Sequence, residues 1–374
     1  MVFLLVASFP DSLLTFRGAL LKALAHRGVG IHVAAPGLGE GTALRKELET
    51  LGYQAHDIPL NRVGMNPLAD GRTLWHLWRL MRKVSPDTVL AYTIKPVIYG
   101  LLAARLAGVG KRFALITGLG YSFQEPRDYS QVRVLLRLLV ERLYAFSLRD
   151  VSTVFFQNPD DRQLFKERGL LSSDANAIVV NGSGVDISKF SVVPSPAQMS
   201  FLLIARLLGD KGVREYAAAA RRVRATNPNI AFNLVGWIDD NPDAINKAEL
   251  DAWIEEGTLS YLGRMTDVRP AIAGSSVYVL PSYREGTPRT VLEAMAMGRP
   301  VITTNAPGCR ETVQDGLNGY LVAVKSVDEL AAAMFNFVNN PERVDSMGQA
   351  ARDLAVEKYD VRKVNEIMLQ EMNI

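Results

Sequence analysis

At 374 residues, the chain is long enough for two domains that each bury their own apolar core. Hydrophobic residues make up 48% and charged residues 22% of the chain, which is typical of a globular protein and excludes a disordered one. The net charge of +3 is unevenly spread, because residues 1–180 carry 22 of the 42 basic and 15 of the 39 acidic side chains. A basic first half suits an anionic membrane, a phosphorylated substrate or a nucleic acid.

The apolar runs are too short to cross a bilayer. The run that starts at Val97, VIYGLLAA, meets Arg105 well before the roughly 18 residues that a span needs. The apolar start, MVFLLVASFP, lacks the basic segment and cleavage site of a secretory signal and predicts a buried strand. The single cysteine, Cys309, excludes an internal disulfide and a cysteine metal cluster. These features favour a cytoplasmic protein.

Strands and helices alternate along the first half. VFLLVAS and VGIHVAAP predict strands, and TFRGALLKALAHRG between them predicts a helix that ends at a glycine. The pattern continues with helix TALRKELETLG, strand YQAHDIPL, helix 71–84, strand TVLAYT, helix 96–107, strand RFALIT, helix 131–149, and strands STVFFQN and AIVVNGSGVD. This alternation predicts a parallel, doubly wound sheet, whose ligands bind at the carboxyl ends of the strands.

A segment rich in Gly, Ser and Pro, residues 181–196, predicts a linker, after which the pattern restarts. The predicted elements are MSFLLIARL, helix 212–225, IAFNLVGW, helix 243–256, LSYLG, SSVYVLPS, helix 288–298, PVITTN and GYLVAV. The sequence therefore predicts an α/β protein with two Rossmann-like domains, residues 1–183 and 184–358. Residues 359–374 predict a C-terminal helix that packs back on the first domain.

The stretch PSYREGTPRTVLEAMAMGRP, residues 281–300, predicts a ligand site. After a strand, Thr287 is suited to cap a helix and Pro288 to be its first residue. The N-terminus of that helix is an anion site that Gly286 lets a ligand approach. Glu293, inside the helix, suits the hydroxyl pair of a ribose, and Glu285, at the strand end, suits the reacting sugar. One anion site between two carboxylates indicates a nucleotide sugar.

The two glutamates, with seven residues between them in EGTPRTVLEAMAMGRPVI, resemble the E-x7-E signature of retaining glycosyltransferases of family four, which have the GT-B fold. The similarity extends through NAPGCRETVQDGLNGYLV, IARLLGDKG, NGSGVDISKF and YLGRMTDV, and so covers the second half. AYTIKPVIYG and ITGLGYSF in the first half resemble the members that extend polyprenyl-diphosphate-linked sugars. The resemblance implies two Rossmann-like domains with a cleft between them.

The resemblance also implies roles for residues of the second half. Arg206 and Lys211 would neutralise the donor diphosphate, Glu285 would orient the donor sugar and stabilise an oxocarbenium ion, and Glu293 would hold the ribose. The segment 261–265 would contact the base, most simply uracil. The donor-binding residues are Glu293, Gly286, Thr287, Pro288, Arg289, Thr290, Tyr261, Leu262, Gly263, Arg264 and Met265, and the catalytic ones are Glu285, Arg206 and Lys211.

The first domain departs from the family pattern at two loops. Many relatives have a glycine pair where this chain reads SFPDSLLTFRG, so Arg17 is a candidate substitute for backbone contacts with phosphate. Many relatives also have a histidine where this chain has Thr117 and Gly118, and the backbone near residues 118–121 could take its role. The acceptor-side candidates are Ser8, Phe9, Pro10, Arg17, Lys95, Thr117, Gly118 and Tyr121.

No metal or other cofactor is expected. The chain has no D-x-D motif, the four histidines lack ligand spacing, and Asp239 and Asp240 fall in a Pro/Asn-rich loop that favours solvent-facing side chains. The helix N-terminus and the two cations already neutralise a diphosphate, so activity should survive chelators. The expected partners are a UDP-sugar donor and a polyprenyl-diphosphate-linked sugar acceptor, the donor sugar being N-acetylgalactosamine by resemblance.

Two helices suit an anionic membrane surface. LWHLWRLMRK combines Trp75 and Trp78 with three cations, and VRVLLRLLVERLY places Arg133, Arg137 and Glu141 on one stripe beside a broad apolar face. The alternative is that these apolar side chains face the core. With a lipid-linked acceptor, the pattern predicts a peripheral protein on the inner face of the cytoplasmic membrane.

Three other functions fit the sequence less well. A GT-B isomerase acting on UDP-N-acetylglucosamine would need further acid and base residues. A non-catalytic, two-lobed sugar-binding protein of the transport type would carry an export signal and have no use for a phosphate site. Nucleic-acid binding is disfavoured because the basic residues are scattered and carry no recognition motif.

Overall fold

The computed structural model describes residues 1–61, 64, 66–118, 131–241 and 243–374, with backbone alone at residues 131–134, 136 and 137. Contacts divide the chain into two compact units. Unit 1 comprises Met1–Ser183 together with Val364–Ile374, and unit 2 comprises Gly184–Lys363. Each unit contains its own sheet.

The strands of unit 1 pair in parallel, as their continuous apolar runs predict. They are β1 (Val2–Val6), β2 (Gly30–Ala35), β3 (Gln54–Asp57), β4 (Thr88–Tyr92), β5 (Lys111–Ile116), β6 (Thr153–Phe156) and β7 (Ala177–Val179). The spatial order within the described residues is β3-β2-β1-β4-β5-β6-β7. The order reverses between β1 and β4, and ligands of such sheets bind at the carboxyl ends of the strands on either side of that switch point.

The helices of unit 1 differ from the predicted ones mainly at their ends. They are α1 (Ser12–Thr15), α2 (Gly18–His26), α3 (Ala43–Thr50), α4 (Pro67–Val84), α5 (Leu101–Ala107), α6 (Gln131–Ser147) and α7 (Pro159–Glu167), with a π-helical turn at Pro96–Gly100. α4 begins four residues earlier than predicted because the side chain of Asn66 accepts hydrogen bonds from two first-turn amides. α7, which Asn158 caps in the same way, was not predicted.

Unit 2 repeats the architecture. Its strands are β8 (Ser200–Arg206), β9 (Ala231–Trp237), β10 (Ser260–Tyr261), β11 (Val277–Leu280), β12 (Val301–Thr304) and β13 (Gly319–Val322). Its helices are α8 (Val213–Thr226), α9 (Lys247–Glu255), α10 (Arg269–Ala273), α11 (Arg289–Ala296), α12 (Val327–Asn339) and α13 (Arg343–Lys358). The parallel order within the described residues, β10-β9-β8-β11-β12-β13, places the switch point between β8 and β11.

The C-terminal helix, α14 (Val361–Glu371), is amphipathic, and its apolar side belongs to the core of unit 1. Met368, Leu369 and Met372 are fully buried and share one apolar cluster with Phe3 and Leu5 of the central strand β1. The guanidinium of Arg27, which follows α2, donates to Glu366 Oε2 at 2.7 Å. Unit 1 is therefore built from both ends of the chain.

Candidate functional site

The predicted donor residues of unit 2 lie at the carboxyl ends of strands beside the switch point. Arg206 is the last residue of β8, Lys211 follows in a short 3-10 turn, and Glu285 follows β11 by five residues. The two segments touch, because Tyr283 N donates to the carbonyl of Asp210 at 2.8 Å. This contact requires a glycine at position 212. The φ angle there is +70°, and a Cβ atom would lie 2.2 Å from the carbonyl oxygen of Pro281.

Lys211 and Glu285 form a close ion pair. Lys211 Nζ lies 2.6 Å from Glu285 Oε1, and the two side chains are only 14% and 18% exposed. Burial alone lowers the pKa of Lys211, but the charges of Glu285 and Asp210 outweigh it and raise that pKa above its usual value. Lys211 is therefore a fixed cation at neutral pH, held beside a carboxylate.

The turn from Glu285 to Pro288 packs against a second segment, residues 305–309. Glu285 N donates to the carbonyl of Pro307 at 2.9 Å, and a Cβ atom on Gly308 would lie 2.1 Å from the carbonyl oxygen of Glu285. The segment NAPGC resembles the family pattern, but its hydrogen bond to this turn was not predicted. The glycine in that segment was the available signal.

The helix after this turn begins one residue later than predicted. Pro288 is the N-cap residue of α11, with ψ at 111°, and its carbonyl accepts from the amides of Val291 and Leu292. The prediction that Thr287 caps and Pro288 starts the helix is wrong, because the backbone of Pro288 is extended rather than helical. The hydroxyl of Thr290 bonds to the hydroxyl of Tyr278 at 2.6 Å.

Glu293 lies one turn inside α11 and is almost fully buried. Arg289 Nε donates to Glu293 Oε1 at 2.8 Å. Burial raises the pKa of Glu293, an effect that the charge of Arg289 reduces without cancelling. A buried carboxylate paired with a single guanidinium suits hydrogen bonds from paired hydroxyl groups.

The predicted base-binding segment, residues 261–265, leaves the carboxyl end of β10 beside that of β9. Tyr261 donates its hydroxyl to the carbonyl of Gly236 at 2.9 Å, and Gly236 N donates to the carbonyl of Gly263 at 3.0 Å. The guanidinium of Arg264 lies 4.7 Å from the ring centroid of Trp237. Trp237, which the sequence interpretation did not include, thus belongs to this edge, together with the exposed Leu262.

Arg206 is also paired. Its Nη1 lies 3.0 Å from Asp239 Oδ2. The prediction that Asp239 faces solvent is wrong, since its side chain is only 22% exposed and lies two residues after β9, which pairs with β8 up to Arg206. Asp240 is exposed as predicted.

The acceptor-side candidates of unit 1 lie at the carboxyl ends of β1, β4 and β5. Ser8 Oγ lies 2.7 Å from the hydroxyl oxygen of Thr93, which has a φ of +69°. Lys95 Nζ forms a 2.8 Å ion pair with the buried Asp70. The remaining candidates at these strand ends are Phe9, Pro10, Thr117 and Gly118, and Tyr121 lies outside the described residues.

Arg17 is a buried residue. It is 3% exposed, precedes α2, and its guanidinium lies 5.3 Å from the ring centroid of Tyr92 at the end of β4. Tyr92 in turn bonds through its hydroxyl to Ser12 Oγ at 2.6 Å. Arg17 is therefore placed at the switch point of unit 1.

Within the described residues, no group of three or more His, Cys, Asp or Glu side chains is arranged to hold a metal ion. His32 and His56 do meet, with Nδ1 and Nε2 2.9 Å apart on β2 and β3. Burial lowers the pKa of both, that of His56 to about 4, so the pair is neutral at pH 7.

Comparison with known proteins finds two family models on this chain. Residues 198–340 match "Glycosyl transferases group 1", and residues 2–158 match "Glycosyl transferase 4-like". A Campylobacter jejuni protein named N,N'-diacetylbacillosaminyl-diphospho-undecaprenol alpha-1,3-N-acetylgalactosaminyltransferase is 27% identical over 91% of both chains. An Escherichia coli protein named UDP-Gal:alpha-D-GlcNAc-diphosphoundecaprenol alpha-1,3-galactosyltransferase is 26% identical over 84% of this chain and 82% of its own.

Solved structures share the fold. HepE of Anabaena, crystallised with UDP, superposes with a TM-score of 0.77 at 19% identity and covers 100% of this chain and 99% of its own. Sucrose-phosphate synthase of Thermosynechococcus elongatus gives a TM-score of 0.81 at 17% identity, covering 99% and 98%. The predicted pair of Rossmann-like halves is confirmed.

Proposed function

Since this chain belongs to the group 1 glycosyltransferases and has the GT-B fold, we propose that it moves a hexose from a UDP-sugar to a saccharide carried on polyprenyl diphosphate. The hexose is N-acetylgalactosamine, as the name of the Campylobacter relative states for that protein. The observation that carries the proposal is the Lys211–Glu285 ion pair beside Arg206 at the switch point of unit 2.

In the proposed reaction, the bond between the anomeric carbon and the phosphate oxygen of UDP breaks. Arg206 and Lys211 stabilise the charge that develops on the leaving diphosphate, and Glu285 orients the sugar and stabilises its oxocarbenium character. The acceptor hydroxyl attacks from the same face and gives its proton to the leaving phosphate oxygen. The product keeps the anomeric configuration of the donor, and no protein nucleophile or metal ion takes part.

The test is a matrix of UDP-hexoses against polyprenyl-diphosphate-linked saccharides with purified protein. We expect acceptor-dependent release of UDP with one donor, unchanged activity in a chelator, and an α-linkage by NMR. Transfer with inverted configuration would contradict the mechanism alone. No transfer with any donor, or an epimerised UDP-sugar in the absence of acceptor, would contradict the proposed function.

We also propose that the protein acts at the inner face of the cytoplasmic membrane, bound there through unit 1. No helix in the described ranges is long and apolar enough to cross a bilayer. Trp75 and Trp78 of α4 are 48% and 37% exposed, so they are not core residues. With Leu106 of α5 they line an apolar groove of about 390 Å³, completed by Gly71 and Leu74.

Helix α6 of the same unit adds further exposed apolar side chains. Arg105, next to Leu106, places its guanidinium 5.6 Å from the ring centroid of Phe146 on α6. Leu135, Leu138 and Leu139 of α6 are exposed as well. Helix α4 also carries four exposed basic side chains, those of Arg72, Arg79, Arg82 and Lys83. Exposed tryptophan and leucine side chains among cations suit an anionic bilayer, although Arg133 and Arg137 have no described side chains.

Flotation with liposomes tests the membrane proposal. We expect the protein to float with vesicles that contain anionic phosphatidylglycerol, and Trp75→Ser combined with Trp78→Ser to reduce the bound fraction several-fold. Trp237→Ser, a matched exposed tryptophan of unit 2 at 38% exposure, should leave binding unchanged. Equal loss in both variants, or no binding by the wild type, would contradict the assignment.

A further inference from the structure

Within the described residues of unit 2, one nitrogen of the Arg206 guanidinium, Nη1, has a hydrogen-bond partner. Its Nη1 bonds to Asp239 at 3.0 Å, and the described residues of unit 2 offer no other acceptor to its remaining N–H groups. Guanidinium presents five N–H donors in a rigid, planar fork. Most of the donor capacity of Arg206 is therefore still available to a ligand.

Asp239 is itself fixed. Its second oxygen, Oδ1, accepts from the backbone amide of Asn241 at 3.1 Å. Arg206 and Trp237 are register partners at the ends of β8 and β9, so the loop that carries Asp239 begins directly beside Arg206. Both oxygens of this carboxylate thus have a defined direction.

The same loop grips the segment that carries Lys211. Asp243 Oδ2 accepts from Asp210 N at 2.9 Å, and the carbonyl of Asp243 accepts from Gly209 N at 2.8 Å. Ile245 N donates to the carbonyl of Leu207, also at 2.8 Å. The residues after β9 therefore order the backbone between the two cations that the proposed function assigns to the diphosphate.

The Arg206–Asp239 pair does little for folding, because its side chains are 34% and 22% exposed and pairs at such sites contribute little to stability. We propose that Asp239 is a positioning residue for donor binding. It holds Nη1 of Arg206 so that the other N–H groups are ordered before the diphosphate arrives. This inference rests on the proposed function.

The opposite possibility is that Asp239 competes with the diphosphate for Arg206. The two predict opposite signs. Ordering a flexible side chain in advance lowers the entropic cost of binding, and its loss weakens affinity by up to roughly tenfold per side chain. Removing a competitor would instead tighten binding.

Calorimetric titration with UDP decides between them. Asp239→Ala should weaken UDP binding about five- to tenfold and raise KM for the donor with little change in kcat. Asp240→Ala, the exposed neighbour with no side-chain bond within the described residues, is the matched control and should bind as the wild type does. Unchanged or tighter binding by Asp239→Ala would overturn the proposal.

A double-mutant cycle measures the coupling between Asp239 and Arg206 in UDP binding. A purely structural role of Asp239 would give no such coupling. If Asp239 acts through Arg206, Arg206→Ala combined with Asp239→Ala should bind UDP no more weakly than Arg206→Ala alone. Additive losses would overturn the proposal. Failure of the wild type to bind UDP would instead contradict the proposed function.

Discussion

Lys211 and Glu285 depend on each other, since each neutralises the other in a site with little solvent. Lys211→Ala removes a cation from the proposed leaving group, and Glu285→Gln removes the carboxylate from the proposed sugar site. We expect each change to lower kcat by roughly 100- to 1,000-fold, the scale for losing one preorganised charge-stabilising group. Initial rates with saturating donor and acceptor measure it.

The control is Glu255→Gln, an exposed carboxylate at the end of α9, which should keep the wild-type rate. Circular dichroism should report a native fold for all three variants. Rates close to wild type in Lys211→Ala or Glu285→Gln would show that the pair is not the reacting centre.

We expect the charged form of Glu293 to favour UDP binding and to lower the folding stability of the protein. Because burial raises the pKa of Glu293, its carboxyl group binds a proton more tightly in the folded protein than in the unfolded chain. The charged form therefore costs folding free energy above the usual carboxyl pKa, and that cost disappears as the pH falls below it. Glu293→Gln should accordingly have a Tm at pH 7 equal to or above that of the wild type.

The same variant should bind UDP roughly tenfold more weakly, because a charged acceptor is replaced by a neutral one. Differential scanning calorimetry and UDP titration on one preparation give both numbers. A Tm several degrees lower would mean that the Arg289–Glu293 pair stabilises the fold more than burial of the charge destabilises it.

The connection between β8 and α8 depends on Gly212. Alanine there would combine a φ of +70° with a Cβ atom 2.2 Å from Pro281 O, so the segments that carry Lys211 and Glu285 would have to separate. We expect Gly212→Ala to lose roughly 3 kcal/mol or more of unfolding free energy and to lose UDP binding.

Gly257, after α9, is the matched control, because its φ is +68° and a Cβ atom added there would meet no described atom within 4 Å. Gly257→Ala should cost only backbone strain, about 1 to 2 kcal/mol, and keep UDP binding. Equal losses in chemical unfolding of the two variants would show that the close approach to Pro281 does not matter.

Most strands of both sheets could be predicted from sequence, because buried parallel strands are continuous apolar runs. Helix starts were predicted less well, since the capping residues Asn66 of α4 and Asn158 of α7 were both missed. The turn before α11 could be placed to within one residue from its glycine and proline. Asp239 could not be assigned, since its bond to Arg206 joins residues 33 apart in the chain. Nothing local in a Pro/Asn-rich loop specifies such a partner.

The core of unit 1 includes residues 364–374. Met368 is fully buried among side chains of β1, whereas Ile367 on the same helix is 37% exposed. Met368→Ala should lower the unfolding free energy by about 2 to 5 kcal/mol, as expected for a cavity in a packed core. Ile367→Ala should change it by roughly 0.5 kcal/mol.

Urea unfolding measures the loss of unfolding free energy in each variant, and amide hydrogen exchange in β1 measures the local loss in unit 1. If both variants unfold as the wild type does, α14 is an accessory to unit 1 and not part of its core.

Unit 1 is discontinuous in sequence, and this determines the order in which the two units can be completed during synthesis. Synthesis runs from the amino end, so unit 2 is made in one uninterrupted stretch, Gly184–Lys363, before residues 364–374 are added. The face of β1 that α14 covers therefore stays open in the nascent chain until residues 364–374 have left the ribosome. A stop codon placed before residue 364 would leave unit 2 intact and unit 1 without the α14 side chains that cover β1.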